Sequence, residues 1–469
     1  MSALATAAFL SLADVLAGTG GALAGKPSPG LAFSSVSIDS RTVEPGALFV
    51  AIRGPKRDGH DFLAEAASRG ARGALVHRDL RAPAGLALVR VDDTTRGLAG
   101  LARHVRRAAS VPVVAITGSV GKTTTKDMTA ELLAARGPVL RTEGNLNNQW
   151  GLPLTLLRLR PEHRAAVLEM GMSAPGEIRA LSLLAEPDVA AITRVAPVHL
   201  EFFPSVDAIA SAKAEILEGL RPGGTAVLNG DDPRVRLIGE GFFGRVVWFG
   251  RDRGFDVSAE SWHAQGAGMR FSLRVAGNAV DVALPLAGPH FVTSFLAAAA
   301  CAHVLGVVPE AMAAAAASLR PARHRGEVLR LAEGVTVLDD CYNSSPEALE
   351  AAVVTLGLLP GRRRVAVLGD MLELGPTSRA LHRERGRKLG GRVDAVAGVG
   401  PLAKEIVQGA GEAGLPAGAL HHFATAGDAV AALDELVRPG DAVLVKGSRG
   451  VRLETVVDAL VARFGEGKA

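Results

Sequence analysis

The sequence predicts an α/β protein of three domains. These are a small N-terminal α/β domain, a central domain built on a phosphate loop with a mostly parallel sheet, and a C-terminal Rossmann-like α/β domain. Three observations predict it. The chain has 469 residues, more than one core usually fills. Apolar strand-like runs alternate with helical stretches in two separate series, the pattern of parallel sheets covered on both faces. A segment of different texture closes the first series. The divisions fall at 1–91, 92–319 and 320–469.

The elements follow in order. The apolar stretch "ALATAAFLSLADVLAGTGGALAG" has no basic residue before Lys26 and is interrupted by Asp14. It reads as a short helix opening the first domain, not as a signal segment. "ALFVAIRG" (Ala47–Gly54) and "GALVHRD" (Gly73–Asp79) are strand-like, with a helix over Asp61–Gly70 stopped by glycine. Thr94–Ala109 is a helix leading into the central domain. There "VPVVAIT" (Val111–Thr117), "RAAVLEMG" (Arg164–Gly171), "DVAAITRV" (Asp188–Val195) and "GTAVLNG" (Gly224–Gly230) are buried strands. Val257–Leu286 alternates polar with apolar and carries "AGN", which predicts an antiparallel appendage with a turn there. Ala297–Val308 and Ala311–Leu319 are apolar but too short to span a bilayer, and read as helices against a sheet. The second series consists of "VTVLDD" (Val335–Asp340), "RVAVLGD" (Arg364–Asp370), "VDAVAGVG" (Val393–Gly400) and "DAVLVKGS" (Asp441–Ser448).

Composition excludes several classes. A formal charge of +4 with no concentrated basic patch leaves no nucleic-acid footprint. Cys301 and Cys341, the two cysteines, form neither a disulfide framework nor a zinc spacing, which fits a reducing, cytoplasmic compartment. No membrane insertion is expected. Only nine of the 52 basic residues are lysines, so a lysine here is weak evidence that an amine is required.

"GSVGKTTTK" (Gly118–Lys126) follows the buried strand "VPVVAIT" and opens a helix. That is the mechanical design of a phosphate loop: backbone N–H groups of Gly118, Ser119, Val120 and Gly121 and the helix start face an anion. Lys122 reaches terminal phosphates, and the Thr123 hydroxyl, with Thr124 beside it, suits Mg²⁺. The usual first glycine is replaced by Ile116, so the loop is a compact version, T-G-x-x-G-K-T-T. Such a loop does not name a reaction. Glu169 is an acidic residue at the carboxyl end of a strand, where metal ligands occur, though a strand-end carboxylate needs no such role. "GNLNN" contains Asn145, Asn147 and Asn148, suited to polar groups of a peptide or sugar. Two apparent motifs are declined. "GVGPLA" (Gly398–Ala403) lacks the acidic partner of a dinucleotide site and reads as a strand–turn–helix junction. "DDPR" (Asp231–Arg234) only resembles a diaminopimelate-selecting signature and lies in the wrong domain.

Taken in order, several stretches resemble the Mur ligases, and within them the branch that adds D-alanyl-D-alanine. They are "TGSVGKTTTK", "TEGNLNNQWGLPLTLL", "LEMGMSAPGEI", "HLEFFPSVDAIASAKAEI", "LNGDDP", "RGE" (Arg325–Glu327), "LDDCYNSSPEAL", "LGDMLELG" and "VKGSRG". The resemblance covers all three domains. It implies an ATP-dependent ligase that joins D-alanyl-D-alanine to UDP-N-acetylmuramoyl-tripeptide through an acyl phosphate, for peptidoglycan precursor synthesis, as a cytoplasmic monomer. Alternatives are a superfamily ligase that adds a single amino acid to a UDP-MurNAc-peptide or folate-like acceptor, and a nucleotide-binding regulatory module.

The resemblance also assigns roles. "DSRTVEPGALFVAIRGPKRDGHDF" with Ser40 and Arg41 holds the UDP end of the substrate. Glu169 ligates Mg²⁺. On spacing alone, His199 and Lys213 read as a loop histidine and a surface lysine. By resemblance Lys213 is carbamylated and holds a second Mg²⁺ with His199, a modification arginine cannot undergo. Arg325 approaches the ATP phosphates, Asp340 binds the ribose, and Tyr342 and Asn343 lie near the nucleotide. The stretch "DDCYNSSP" also reads as a turn capping a helix at Pro346. Four positions depart from the family pattern: Phe291 and Ser294 stand where asparagines are usual, Arg194 replaces an asparagine, and Trp150 replaces a smaller apolar residue.

Overall fold

Five-residue apolar runs with no charge inside them can be satisfied only by burial on both faces, and here they become strands. The computed structural model describes residues 9–25, 29–198, 200–465 and 467. Each strand expected in the central and C-terminal series is present and buried: Val113–Thr117, Ala165–Glu169, Val189–Ile192, Thr225–Asn229, Thr336–Asp339, Arg363–Gly369, Ala395–Val399 and Asp441–Lys446. Among the described residues no helix is long and apolar enough to cross a membrane. The chain divides into two compact units, one of residues 1–117, 136–190 and 215–225, the other of 118–135, 191–214 and 226–469.

The first unit opens with a strand at Leu10–Ser11 and the helix Leu12–Thr19, whose start is capped reciprocally by Ser11 and Asp14. Its five-stranded sheet has the order Ala22–Ala24, Ala87–Arg90, Gly73–Val76, Leu48–Val50, Val36–Ser37, with only the first pair antiparallel. The helix expected over 61–70 is split, a 3₁₀ turn at Gly59–Phe62 followed by the helix Leu63–Ser68. Asp58 explains the split. Its carboxylate accepts from His60 N at 3.0 Å and caps the tighter turn. Further on, Ala165–Glu169 pairs in parallel with Val113–Thr117 on one side and Val139–Arg141 on the other, which puts Glu169 opposite Ile116.

Helix Thr94–Ala108 buries Leu98, Leu101 and Ala102, and at its end also Arg106, which is 1% exposed. A buried guanidinium must find acceptors for its donors. Arg106 donates to the carbonyls of Ala185 (2.8 Å), Val111 (3.0 Å) and Glu186 (2.9 Å), and to Asp188 Oδ2 (3.1 Å). The same Asp188 oxygen accepts from Val113 N at 2.8 Å. One side chain therefore ties a helix end, the linker after it and the start of the next strand to the turn at 185–188.

In the second unit, Val257–Gln265, Gly268–Val275 and Asn278–Leu284 form the antiparallel appendage. Its "AGN" turn is made by Ala276 and Gly277, both at positive φ, with Asn278 already paired to Val275. Two successive left-handed residues match the twist of a tight hairpin. The C-terminal sheet has the order Glu327–Arg330, Thr336–Asp339, Asp441–Lys446, Arg363–Gly369, Ala395–Val399, Leu420–Phe423, all parallel except the first. Val337, Val365, Val367, Val443 and Val445 feed one core. Leu338, Ala366, Leu368, Ala442 and Leu444 feed the other. This period of two, with cores on both faces, is a doubly wound sheet.

Replacing Arg106 with alanine leaves the carbonyls of Ala185, Val111 and Glu186 without this donor and Asp188 without its ion pair. We expect a loss of about 3–5 kcal/mol in the unfolding transition of the first unit, read by urea denaturation. A loss below about 1 kcal/mol would mean that Arg106 is no stronger than a surface ion pair.

Candidate active site

The strand Val113–Thr117 delivers the chain into the glycine loop, and the helix Lys122–Ala134 takes it away. Gly118 (φ 149°) and Gly121 (φ 87°) hold conformations that side chains disfavour. A Cβ at Gly118 would also lie 1.9 Å from Thr193 Oγ1. The loop is laced to the segment 193–196. Ser119 N donates to Arg194 O at 2.6 Å, Thr193 Oγ1 donates to Val120 O at 2.7 Å, and Ala196 N donates to Ser119 Oγ at 3.0 Å. Asn229 Nδ2 in turn donates to Thr193 O (2.6 Å), and Val195 N to Asp232 Oδ2 (2.8 Å). Lys122 folds back so that Nζ donates to Gly118 O at 2.7 Å, which places the ammonium over its own loop. Lys122, Thr123 and Thr124 are half-buried at the open end of the helix. A glycine loop running into a helix start, with an amine over it, has the parts of an anion cradle, although the expected Ser119 N–H is already engaged by Arg194 O.

Lys213, on the helix Val206–Ala214, is 2% exposed. Burial, and then the charge of Lys122, push its amine well below the ordinary lysine range. A buried amine beside another cation favours its neutral, nucleophilic form.

A second group of residues surrounds the end of Thr336–Asp339. Asp340 Oδ2 accepts from Lys446 Nζ at 2.6 Å, and the same ammonium donates to Asn343 O at 3.0 Å. Lys446 is 2% exposed. Arg325 lies 4.0 Å over the Tyr342 ring and Arg449 lies 5.0 Å from its centroid, so two guanidiniums share one aromatic ring. Asn343 turns its oxygen to Ser344 N (2.9 Å), while Ser345 caps the helix Pro346–Leu358. The turn of "DDCYNSSP" therefore does cap the helix that begins at Pro346. His290 is half-buried, packs on Phe291 at 4.3 Å, and its buried Nδ1 has no hydrogen-bond partner among the described residues. Burial draws its pKa down to about 4, with the Asp340 carboxylate opposing and Lys446 adding to the shift.

In the first unit, Glu169 is 3% exposed and ends its strand. Asn147 Nδ2 donates to its Oε1 at 2.8 Å, and Glu169 N donates to Thr142 Oγ1 at 3.0 Å.

Three domain families match the chain: "Mur ligase family, catalytic domain" over residues 32–106, "Mur ligase middle domain" over 116–302, and "Mur ligase, glutamate ligase domain" over 324–449. The chain belongs to the Mur ligase family. It is 39% identical to the UDP-N-acetylmuramoyl-tripeptide–D-alanyl-D-alanine ligase of Escherichia coli, covering 92% of this chain and 94% of that one. With the same enzyme of Bacillus subtilis it shares 34%, over 91% and 93%. Crystal structure I of MurF from Acinetobacter baumannii superposes with a TM-score of 0.88 at 32% identity, over 97% of this chain and 99% of that one. MurF from Thermotoga maritima in complex with ADP gives 0.81 at 31%, over 91% and 96%.

As a Mur ligase, the chain brings together several of the residues singled out in its sequence. Gly118, Ser119, Val120, Gly121, Lys122 and Lys213 are neighbours, and Arg325, Asp340 and Asn343 share the Tyr342–Lys446 group. Asn147 meets Glu169. Asn145 and Asn148 are exposed, and Asn148 Oδ1 accepts from Trp150 N (3.1 Å) and Gly151 N (2.9 Å) at the start of the helix Gly151–Leu156. Ser40 Oγ donates to Glu65 Oε2 at 2.8 Å. Arg41 grips Asp39 at 2.7 and 2.9 Å, holding that carboxyl down to about 2. His199 lies outside the described residues.

The departures from the family pattern have local explanations. Arg194 serves the loop through its backbone oxygen, and Trp150 donates its indole N–H to Thr95 Oγ1 at 3.3 Å. Phe291 covers Gly326, where a Cβ would meet its ring at 2.8 Å, and Ser294 Oγ donates to His290 O at 3.1 Å. The two declined motifs are structural junctions. Asp232 caps the helix Pro233–Glu240. In "GVGPLA", Asp370 Oδ1 accepts from Leu402 N (2.9 Å) and Ala403 N (2.7 Å), so a carboxylate occupies the place a phosphate would take.

Sequence reasoning missed Lys446 and His290. Lys446 had a usable signal, being one of nine lysines in an arginine-rich chain. His290 stood beside the irregular "GPHFVTS" but had no recognisable partner in sequence.

His290 also fixes a pH dependence. Its folded pKa of about 4 lies below the ordinary 6.5. The unfolded chain therefore takes the proton first, and stability present above pH 6.5 is lost as pH falls toward 4. Relative to His290→Leu, the chain should lose on the order of 3 kcal/mol between pH 7 and pH 4. Denaturation curves giving a constant difference across that range would refute the assignment.

Proposed function

We propose that this chain is an ATP-dependent amide ligase that joins D-alanyl-D-alanine to UDP-N-acetylmuramoyl-tripeptide, in the cytoplasm and as a monomer. The observation that carries the reading is Lys213, an amine buried beside Lys122 behind a phosphate loop, in a chain alike over nine-tenths of its length to enzymes of that name.

The chemistry begins with a carboxylate, which is a poor acyl donor because oxide would have to leave. Transfer of the γ-phosphoryl group of ATP to the peptide carboxylate yields an acyl phosphate and ADP. The dipeptide amine then attacks the acyl carbon and phosphate departs with its bonding pair, forming the amide. Lys122 and the loop N–H groups hold and neutralise the terminal phosphates. Arg325 approaches them from residues 320–469. Asp340, its direction set by Lys446, receives the ribose hydroxyls, with Asn343 nearby. Ser40 and Arg41 in residues 1–91 take the UDP end, and Asn145, Asn147 and Asn148 take polar groups of the acceptor.

Mg²⁺ would be held by Thr123, Glu169, His199 and Lys213, and it would neutralise charge on the phosphoryl oxygens. The donor set fits it in one specific way. A neutral lysine amine attacks CO₂, giving a carbamate and releasing a proton. At Lys213 this converts repulsion with Lys122 into attraction and supplies an oxygen ligand that an ammonium cannot. Glu169 is a buried acceptor already oriented by Asn147.

The deciding measurement is phosphate release with ATP, Mg²⁺ and UDP-MurNAc-tripeptide, with and without D-alanyl-D-alanine, together with product mass. Release that needs the dipeptide, with the matching mass gain, is expected. Release without it would make the chain an ATPase, and release only with a single amino acid would move it to another branch of the family.

Lys213→Ala should lower turnover by at least about a thousandfold, and added short carboxylates should restore part of it. Wild-type rates in that variant would eliminate the carbamate.

A further inference from the structure

Behind the Asp340–Lys446 contact lies a second row of side chains that the ligase chemistry does not use. Side chains alternate along Thr336–Asp339, with Val337 in one core and Leu338 in the other. Continuing that alternation takes Asp339 to the Val337 side, away from Asp340. Cys341 packs in the same core as Val337. His324 reaches this place from the segment before the edge strand, and its Nδ1 lies 2.7 Å from Asp339 Oδ2. The other carboxylate oxygen accepts from Cys341 N at 3.4 Å. One donor atom from each of His324, Asp339 and Cys341 falls within 4.8 Å of the others. Asp339 and Cys341 are each 2% exposed, while the His324 side chain is 18% exposed and gives the cluster its opening to solvent.

Imidazole, thiolate and carboxylate together select zinc-class ions, whereas Mg²⁺ and Ca²⁺ take oxygen alone. In a tetrahedral zinc shell with bonds of about 2.0–2.3 Å, neighbouring donors stand about 3.4–3.7 Å apart. The cluster reaches that shape when the His–Asp contact opens by about 1 Å and the sulfur moves in by a similar amount. A thiolate and a carboxylate also cancel the charge of a dication, and the thiol proton leaves to solvent as the metal–sulfur bond forms. His324 is held for the task at φ 62°, a left-handed conformation that costs a non-glycine residue about 1–2 kcal/mol. Two contacts fix it there: its carbonyl accepts from Tyr342 N at 3.0 Å, and its neighbour Arg325 lies on the Tyr342 ring.

We propose that His324, Asp339 and Cys341 form a binding site for one zinc-class divalent cation, with a fourth position open to water, on the reverse side of the Asp340–Lys446 contact. The site does not depend on the ligase reaction, and its test does not use it.

The full chain, stripped of metal, is titrated with Co²⁺ while thiolate-to-cobalt charge-transfer absorption is recorded. We expect that band to appear, to vanish when Zn²⁺ is added, and to survive excess Mg²⁺. It should be absent in Cys341→Ser, kept in Cys301→Ser, and shifted to at least about tenfold higher Co²⁺ in His324→Gln. No sulfur band in the wild type, or an equal band in Cys341→Ser, overturns the proposal. Should Cys341→Ser fail to fold, His324→Gln decides alone: weakened cobalt binding supports the site, and unchanged binding refutes it.

Discussion

The arrangement turns on a charge the fold refuses to accommodate. Lys213 is enclosed with Lys122 as its electrostatic neighbour, so burial and like charge both oppose a second ammonium there. Both favour the neutral amine, which is the nucleophilic form. The same burial that makes Lys213 a poor base makes Lys122 the dominant positive charge over the loop, available to a phosphate.

Glycine geometry is the second constraint. Gly118 leaves no space for a side chain against Thr193, and Thr193 is fixed in turn by Asn229. The loop is therefore shaped from outside, by the segment 193–196, more than by its own hydrogen bonds. Across the unit, the end of Thr336–Asp339 carries two rows of polar groups on opposite sides of one strand. Asp340 and Lys446 lie on one, and Asp339, Cys341 and His324 on the other. Because they share a backbone, whatever restrains one row restrains the other.

Much of this was legible in the sequence because it depends on local signals. Buried parallel strands announce themselves as unbroken apolar runs, and each one named in the central and C-terminal series is present. The glycine loop was readable from its strand before and helix after. What escaped depends on contacts distant in sequence. Arg106 looks like any helix-terminal arginine until Ala185, Glu186 and Asp188 close over it. The strand Leu420–Phe423 is a short "LHHF" at a sheet edge, half-buried and without an apolar run. Nothing in the sequence showed that the Asn148 oxygen holds the start of a helix, since an asparagine serves a backbone N–H as readily as a ligand. His290 and Asp340 are 50 positions apart, and no spacing rule links them.

Asp370 makes the C-terminal sheet unlike a nucleotide-binding one of the same architecture. Its carboxylate is bound covalently a few ångströms from the N–H groups of Leu402 and Ala403, and so is present there at a very high effective concentration. A diffusing anion would have to displace a competitor that never leaves. The crevice is occupied from within by the protein's own carboxylate.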